Sequence, residues 1–186
     1  MTQKSISRVY KLHLKKTNPK MSVTFFSRKK EYNSLSNFSE HPVVLNEIKY
    51  YCGEVCFQAQ KFLQVAHSSS GSRRLELLDW SRKISVKTDP ILARRMGRQF
   101  VLTLDELSIW NKASIQVQTD ICKYKFENYE EVRSDLRKSG DMILIHPCRC
   151  SDEAIRNRVW EGRLVGNVVL GGNMLGKIWM EFRSFL

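Results

Sequence analysis

The chain has 186 residues, of which 42% are hydrophobic and 10% aromatic, a composition that fits one globular domain with a substantial core. No apolar run approaches the roughly 20 residues that cross a bilayer, which excludes a membrane-spanning helix, and we expect no membrane partner. The formal net charge of +12, from 31 Lys and Arg against 19 Asp and Glu, favours an anionic partner, either nucleic acid or a phosphorylated small molecule.

The N-terminal segment, residues 1–22, differs from the rest of the chain. It carries several lysines and arginines but no acidic residue, and the first acid is Glu31. It has no apolar core of the kind that a secretory signal needs. We therefore expect a flexible basic arm, with an organellar presequence as the alternative, followed by a domain at 23–186.

The cysteines are spread along the chain and are odd in number, which predicts reduced thiols in a reducing compartment and hence a cytoplasmic location. Five positions carry them: Cys52, Cys56, Cys122, Cys148 and Cys150.

A small β component is predicted near the N-terminus of the domain. Val23, Phe25 and Phe26 indicate a short strand, and 33–37 has the composition of a loop. The segment 43–51 predicts two strands around a turn at Asn46 and Glu47.

The remainder of the chain is predicted to be mostly helical. Asp89 is placed as the N-cap of one helix, with Pro90 at its first position. The glycine-rich segment 162–176 is expected to be a flexible loop. The predicted helices cover 54–66, 73–82, 91–99, 104–126, 130–138, and a last one with an apolar face of Leu175, Ile178, Trp179, Phe182, Phe185 and Leu186. The sequence therefore predicts an α+β fold, a predominantly helical single domain with a small N-terminal β component.

The helix that begins near Glu54 carries an unusual polar stripe. Glu54, Gln58 and Lys61 fall at i, i+4 and i+7, on a face separate from the apolar residues Val55 and Ala59. A carboxylate, an amide and an amine on one face can converge on a ligand. A solvated surface stripe is the ordinary alternative for such spacing.

Two further motifs are open to more than one interpretation. Gly171, Gly172 and Asn173 lead into the last helix, where backbone N–H groups would suit a phosphate, although Asn173 is also simply a good N-cap. The run from His146 to Cys150 lacks the paired-ligand spacing of zinc sites, so we predict no metal.

Several motifs, taken in order, resemble the NADAR superfamily of YbiA-like N-glycosidases over residues 23–186. The similarity is carried by Ser36-Asn37-Phe38, the Glu54/Gln58/Lys61 spacing, Asp89-Pro90, the run 93–98, Trp110, Lys125-Phe126, Arg158-Val159-Trp160, the run 173–176 and the run 180–183.

This resemblance implies hydrolysis of an N-glycosidic bond without a cofactor. The implied substrates are phosphorylated ribosylamine intermediates of riboflavin biosynthesis or, alternatively, ADP-ribose attached to guanine. Glu54 would stabilise charge at the ribose C1 or shuttle protons, and Lys61 could attack the opened sugar as an amine.

The resemblance also assigns the residues that bind substrate. Trp160 would stack on the base, and Asn37 and Arg98 would contact the ribose or phosphate. The remaining candidate binding residues are Gln58, Trp110, Gly172 and Asn173.

One stretch departs from the family pattern. The family has Asp-x2-Trp-Gly where this chain has Asn157 and Glu161 at the first and last positions, although the asparagine still occupies a catalytic position. Because asparagine cannot carry negative charge, Asp152 or Glu153 in a nearby insertion could supply the carboxylate. The alternatives are an impaired module that binds ADP-ribose or NAD, and a protein that binds nucleic acid through its basic surface.

Overall fold

The computed structural model describes residues 22–25 and 30–186, so the predicted basic arm, apart from Ser22, lies outside the described residues. Within them, short strands occur at both ends of the domain and helices occupy most of the chain between. The strands are β1 Ser22–Thr24, β2 Val43–Leu45, β3 Ile48–Tyr50, β4 Ile143–Ile145, β5 Arg163–Val165 and β6 Val168–Leu170. The helices are α1 Gly53–His67, α2 Gly71–Ser85, α3 Pro90–Gln99, α4 Leu104–Asn128, α5 Glu130–Lys138, α6 Asp152–Arg156 and α7 Met174–Arg183.

Local sequence signals explain several of these boundaries. Asn46 and Glu47 adopt positive φ angles of 51° and 63°, which closes β2 and β3 into the predicted tight antiparallel hairpin. The Asp89 carboxylate accepts a hydrogen bond from the N–H of Ile91 at 2.8 Å and caps α3, as predicted. Thr103 and Glu106 form a capping box at the start of α4.

Helix α1 lies at the centre of the larger apolar cluster and packs against α2, α3 and α4. Its predicted apolar stripe is confirmed, because Val55 and Ala59 are completely buried, and Phe62 in the next turn is buried with them. A second apolar cluster joins α4 and α5 to α7 and β4, with Trp179 at its centre. The boundary between these two clusters is where the candidate site lies.

The structure confirms the α+β, predominantly helical fold and adds strands that the sequence did not predict. β4 pairs in parallel with β1, so it brings the C-terminal part of the domain against the first strand. The expected flexible loop at 162–176 is wrong in part, because β5 and β6 form an antiparallel hairpin there. Gly166, with φ 57°, supplies the turn, and valines on both sides favour extended backbone.

Candidate active site

A cleft of about 360 Å³ opens between the N-terminal half of α1, α3 and the segment that follows α6. Its volume is within the range of small-molecule sites. The lining combines carboxyl groups, amides, arginines and aromatic rings. The residues that line it are Ser36, Asn37, Phe38, Glu54, Phe57, Gln58, Arg94, Arg98, Gln118, His146, Asn157, Arg158, Val159, Trp160, Glu161 and Leu175.

Glu54 is the buried carboxyl group of this cleft, with only 7% of the residue exposed. It lies in the first turn of α1, and its Oε1 accepts a hydrogen bond of 2.9 Å from Nε2 of Gln58, one turn later. Burial raises the pKa of the Glu54 carboxyl, whereas the bond from Gln58 and the charges of Arg94 and Arg98 oppose that rise. The group can therefore hold a proton at a higher pH than an ordinary glutamate.

Helix α3 supplies two arginines to the cleft. Arg94 and Arg98 are one turn apart, so both side chains leave the same face of the helix. The Arg94 guanidinium also lies 5.8 Å from the centre of the Phe38 ring, which lines the cleft as well. Two guanidinium groups beside one carboxyl group form a site suited to a phosphorylated ligand.

Close packing at Gly97 places α3 against α1. A Cβ atom at Gly97 would lie 1.9 Å from Oε1 of Gln58, so no larger residue fits unless the Gln58 side chain moves. The Gly97 carbonyl accepts a hydrogen bond of 2.7 Å from Nζ of Lys61. Burial lowers the pKa of the Lys61 amine, and the charge of Arg98 lowers it further. Lys61 is thus adjacent to the cleft but is not one of its lining residues.

The loop that carries Asn37 is held by a buried lysine on α4. Nζ of Lys125 donates to the carbonyl oxygens of Ser34 and Ser36, at 2.6 and 2.8 Å, and to Oγ of Ser39 at 2.9 Å. The indole N–H of Trp179 donates to the carbonyl of Leu35 at 2.8 Å. These bonds fix the backbone of a loop that has little regular structure of its own.

Asn37 is further constrained by its side chain and its backbone. Its amide exchanges two hydrogen bonds with the amide of Gln118 on α4, at 2.7 and 3.0 Å. Its carbonyl accepts from the N–H of Glu54 at 2.8 Å. The predicted ribose-contacting residue is therefore fixed to the same helix that carries the buried carboxyl group.

An aromatic cluster forms another wall of the cleft. The Phe57 ring meets Trp160 edge to face at a centroid distance of 5.3 Å, and Trp110 packs behind Phe57 at 4.9 Å. Trp160 and Phe57 line the cleft, whereas Trp110 supports them from the core. This wall is suited to stacking a heterocyclic base.

His146 and Glu161 lie on the part of the wall that β4 and the segment before β5 contribute. Burial lowers the pKa of the His146 ring, and the carboxylate of Glu161 opposes that shift. Nδ1 of His146 is buried and has no hydrogen-bond partner among the described residues. A ligand in the cleft could satisfy it.

Asn173 connects these two residues through the backbone. Its Oδ1 accepts from the His146 N–H at 3.0 Å, its Nδ2 donates to the Leu144 carbonyl at 2.8 Å, and its own N–H donates to the Glu161 carbonyl at 2.9 Å. Its side chain makes no bond to the helix start, although Asn173 is the N-cap of α7 by position. Both ends of the Asn173 amide are thus already engaged with the protein.

The structure brings most of the predicted site residues together. The cleft is lined by Asn37, Glu54, Gln58, Arg98, Asn157 and Trp160. The other predicted residues, which are not lining residues, are Lys61, Trp110, Gly172 and Asn173. Gly172 is instead packed against backbone, since a Cβ atom there would lie 2.3 Å from the Val159 carbonyl. The roles assigned to all of these residues stay predictions.

Among the lining residues that were not predicted as part of the site, four are ionisable: Arg94, His146, Arg158 and Glu161. Arg94 had a signal in the sequence, because it lies one turn before the predicted Arg98. The others come from segments whose position depends on β4 and on the β5–β6 hairpin. The insertion does not supply a carboxylate, because Asp152 pairs with Arg163 and neither it nor Glu153 lines the cleft.

Residues 22–25 and 30–186 contain neither a cluster of metal ligands nor a membrane-spanning helix. No group of three or more His, Cys, Asp or Glu side chains is arranged there to hold a metal ion. No helix in the same ranges is both long enough and apolar enough to cross a membrane.

The fold and the cleft define an α+β protein in which a buried carboxyl group, arginines and an aromatic wall share one small-molecule site. The chain belongs to the NADAR family, whose family model, "NADAR domain", matches residues 24–186.

Several known relatives and a solved structure are similar to the chain. N-glycosidase YbiA of Escherichia coli K12 is 29% identical over 164 residues, or 88% of each chain. N-glycosidase Npun_R5314 of Nostoc punctiforme is 25% identical over 88% of this chain and 92% of its own length. Protein irg-1 of Caenorhabditis elegans is 25% identical over 75% of this chain and 62% of its own. The solution structure of E. coli YbiA matches with a TM-score of 0.62 at 24% identity, covering 93% of this chain and 89% of that one, which supports the fold.

Proposed function

We propose that the protein is an N-glycosidase that hydrolyses the bond between a base nitrogen and C1 of a phosphorylated ribose, its substrate being a ribosylamine intermediate of riboflavin biosynthesis. The class of enzyme agrees with the names of the relatives from E. coli and N. punctiforme. The observation that carries the proposal is the position of Glu54, a buried carboxyl group that shares the cleft with Arg94 and Arg98.

Each part of the cleft has a function in such a reaction. The arginines bind the phosphate, and the aromatic wall with Trp160 receives the base. Glu54, whose pKa is raised by burial, donates a proton to the departing nitrogen. Once Glu54 has given up its proton, its carboxylate stabilises the positive charge that develops at C1.

A reaction in which Lys61 attacks the sugar as an amine requires its side chain to move. Nζ of Lys61 would have to leave the Gly97 carbonyl and turn into the cleft before it could attack an opened sugar. Its lowered pKa favours the neutral amine that such an attack needs. Borohydride added during turnover would reduce a Schiff base to a stable adduct, which mass spectrometry would detect on the wild type and not on Lys61→Arg.

The direct test is incubation with a ribosylaminopyrimidine phosphate, with release of the base followed by chromatography. We expect turnover by the wild type and a loss of about 100-fold or more in Glu54→Gln, since general acid catalysis contributes about 10²–10⁴-fold. Glu153→Gln is the matched control, because Glu153 is exposed on α6 and does not line the cleft. No base release by the wild type from this substrate or from the alternative below would contradict the proposal.

A second substrate is favoured by the exposure of the arginines. Arg98 and Arg158 line the cleft and are exposed, and the chain as a whole carries a net charge of +12. Both features suit ADP-ribose attached to a guanine of nucleic acid, whose neighbouring phosphates would lie outside the cleft. Hydrolysis of ADP-ribosylated guanosine in an oligonucleotide, with affinity that falls steeply with salt, would select this substrate.

A binding module without activity is the remaining alternative, and Asn157 is the observation that favours it. An amide lines the cleft at the position where the family pattern has a carboxylate. Calorimetry with ADP-ribose separates the two functions, since tight binding with no release of base would identify a module.

A further inference from the structure

A second carboxylate, Glu161, lines the same cleft as Glu54, although the two residues come from distant parts of the chain. Glu54 is in α1, whereas Glu161 lies between Trp160 of the aromatic wall and the first residues of β5. The cleft therefore contains two acidic groups in different surroundings, one buried and one only partly buried.

The backbone at Glu161 is held on both sides. Its carbonyl accepts from the Asn173 N–H at 2.9 Å, and the next residue, Gly162, donates its N–H to the His146 carbonyl at 2.8 Å. Gly171 packs against the same point, because a Cβ atom there would lie 2.6 Å from the Glu161 carbonyl. The backbone that carries this carboxylate is thus fixed at the wall of the cleft, which favours a catalytic position for the side chain.

The charge of Glu161 acts on the other titratable groups of the site. It raises the pKa of Glu54, and it raises the pKa of His146 against the effect of burial. Its carboxylate makes no hydrogen bond or ion pair with any other described residue, whereas the carboxylate of Asp152 is paired with Arg163. Glu161 therefore remains available to a ligand.

We propose that Glu161 is the second catalytic carboxylate of this cleft and takes the place that Asn157 cannot fill. This inference rests on the proposed function. Glu54 gives its proton to the base nitrogen as the C1–N bond breaks and its electron pair leaves with the base. Glu161 accepts a proton from the water that adds to C1, so the products are the free base and a ribose with a hydroxyl at C1.

The test compares Glu161→Gln with the wild type under saturating ribosylaminopyrimidine phosphate and ADP-ribosylated guanosine. We expect kcat to fall by about 100-fold while KM changes little, since an amide fills the same space but accepts no proton. Glu153→Gln, on the exposed face of α6, is the control and should keep the wild-type kcat.

Restoring a carboxylate at the neighbouring position distinguishes chemistry from structure. In the double variant Asn157→Asp/Glu161→Gln, we expect about a tenfold recovery of kcat, since Asn157 lines the same cleft. An NMR titration of His146 should show a lower pKa in Glu161→Gln than in the wild type, because the opposing charge is gone.

The outcomes separate this inference from the proposed function. Turnover by Glu161→Gln at the wild-type kcat, or a His146 titration that the substitution leaves unchanged, would overturn the inference and leave the proposed function standing. No turnover by the wild type on either substrate would overturn the proposed function itself, and the catalytic role of Glu161 with it.

Discussion

Asn37 and Gln118 form a closed pair of amides at the base of the cleft, in which each side chain donates one hydrogen bond to the other, at 2.7 and 3.0 Å. Both residues are buried. The pair joins the loop 34–39 to the long helix α4. Because Asn37 also accepts a bond from the backbone of Glu54, the pair positions the start of α1 as well.

Gln118→Leu should therefore reduce both stability and ligand affinity. Leucine leaves the Asn37 amide buried without a partner, which costs about 1–3 kcal/mol. We expect urea denaturation to show a loss of this size, and calorimetry to show weaker binding of ADP-ribose. Gln116→Leu is the control, because Gln116 is exposed on the same helix and bonds only to Asp120. Equal effects of the two substitutions would contradict the role of the pair.

Lys125 should make the stability of the protein depend on alkaline pH. Burial lowers the pKa of its amine from 10.5 to about 8. Between these two values the unfolded chain binds more protons at this position than the folded one, so the free energy of unfolding rises with pH. We expect the stability of the wild type relative to Lys125→Met to increase from about pH 8 upward, measured by urea denaturation.

The control for Lys125 is Lys123→Met on the same helix. Lys123 is mostly exposed and pairs with Glu127, so its removal should leave the pH dependence unchanged. At all pH values Lys125→Met also leaves the carbonyls of Ser34 and Ser36 without their donor, which should loosen the loop that carries Asn37. A stability difference that stays constant across this pH range would contradict the prediction.

Features that depend on local contacts could be predicted from the sequence, whereas features that depend on long-range contacts could not. The α1 stripe and the Asp89 cap were predictable, because each depends on residues within two turns of one another. The resemblance to the family located Trp160. Neither the local patterns nor the resemblance indicates that Glu161 faces the cleft. Its position depends on the bond that its carbonyl accepts from Asn173 and on the bond that Gly162 donates to the His146 carbonyl, and both partners lie outside its own segment of the chain.

The missed hairpin has a similar cause. The glycines at 166, 171 and 172 predict a flexible loop, but Gly166 makes a tight turn and Gly172 allows close packing against Val159. The number of glycines in a segment does not show whether the segment is flexible or whether its glycines let backbone atoms pack closely. Lys125 could not be predicted as a buried residue either. A lysine in the middle of a helix is normally exposed, and only the tertiary structure shows that this one is buried.

Gly97→Ala should weaken the site with little loss of stability. The added methyl group meets the flexible end of the Gln58 side chain, which can move away but then gives up its bond to Glu54. We expect a decrease in kcat of about tenfold, because the proton donor is no longer held in one position. The same substitution made in a Gln58→Ala background should have almost no further effect. A full effect in both backgrounds would show that the methyl group disturbs something other than Gln58.

The alkaline side of the pH–activity profile should report the proton on Glu54. If this carboxyl is the acid, kcat falls as pH rises through its raised pKa. The charge of Arg98 holds that pKa down, so Arg98→Met should move the fall in kcat to higher pH at saturating substrate. Arg95→Met, on an exposed position of the same helix that does not line the cleft, should leave the profile unchanged. If the fall in kcat moved to lower pH in Arg98→Met, the profile would report the titration of a group other than Glu54.

Glu54→Gln should make the protein more stable while it removes activity. Because burial raises the pKa of this carboxyl in the folded state, the folded protein must ionise a buried group as pH rises through that pKa, and stability is lost there. Glutamine has the same shape, can still accept the bond from Gln58 and has no proton to lose. We therefore expect the variant to unfold at higher urea concentration than the wild type at neutral pH, and the difference to disappear as pH falls below the ordinary glutamate value of 4.5. A variant less stable than the wild type at neutral pH would contradict this prediction, because it would mean that the ionised Glu54 side chain stabilises the folded state.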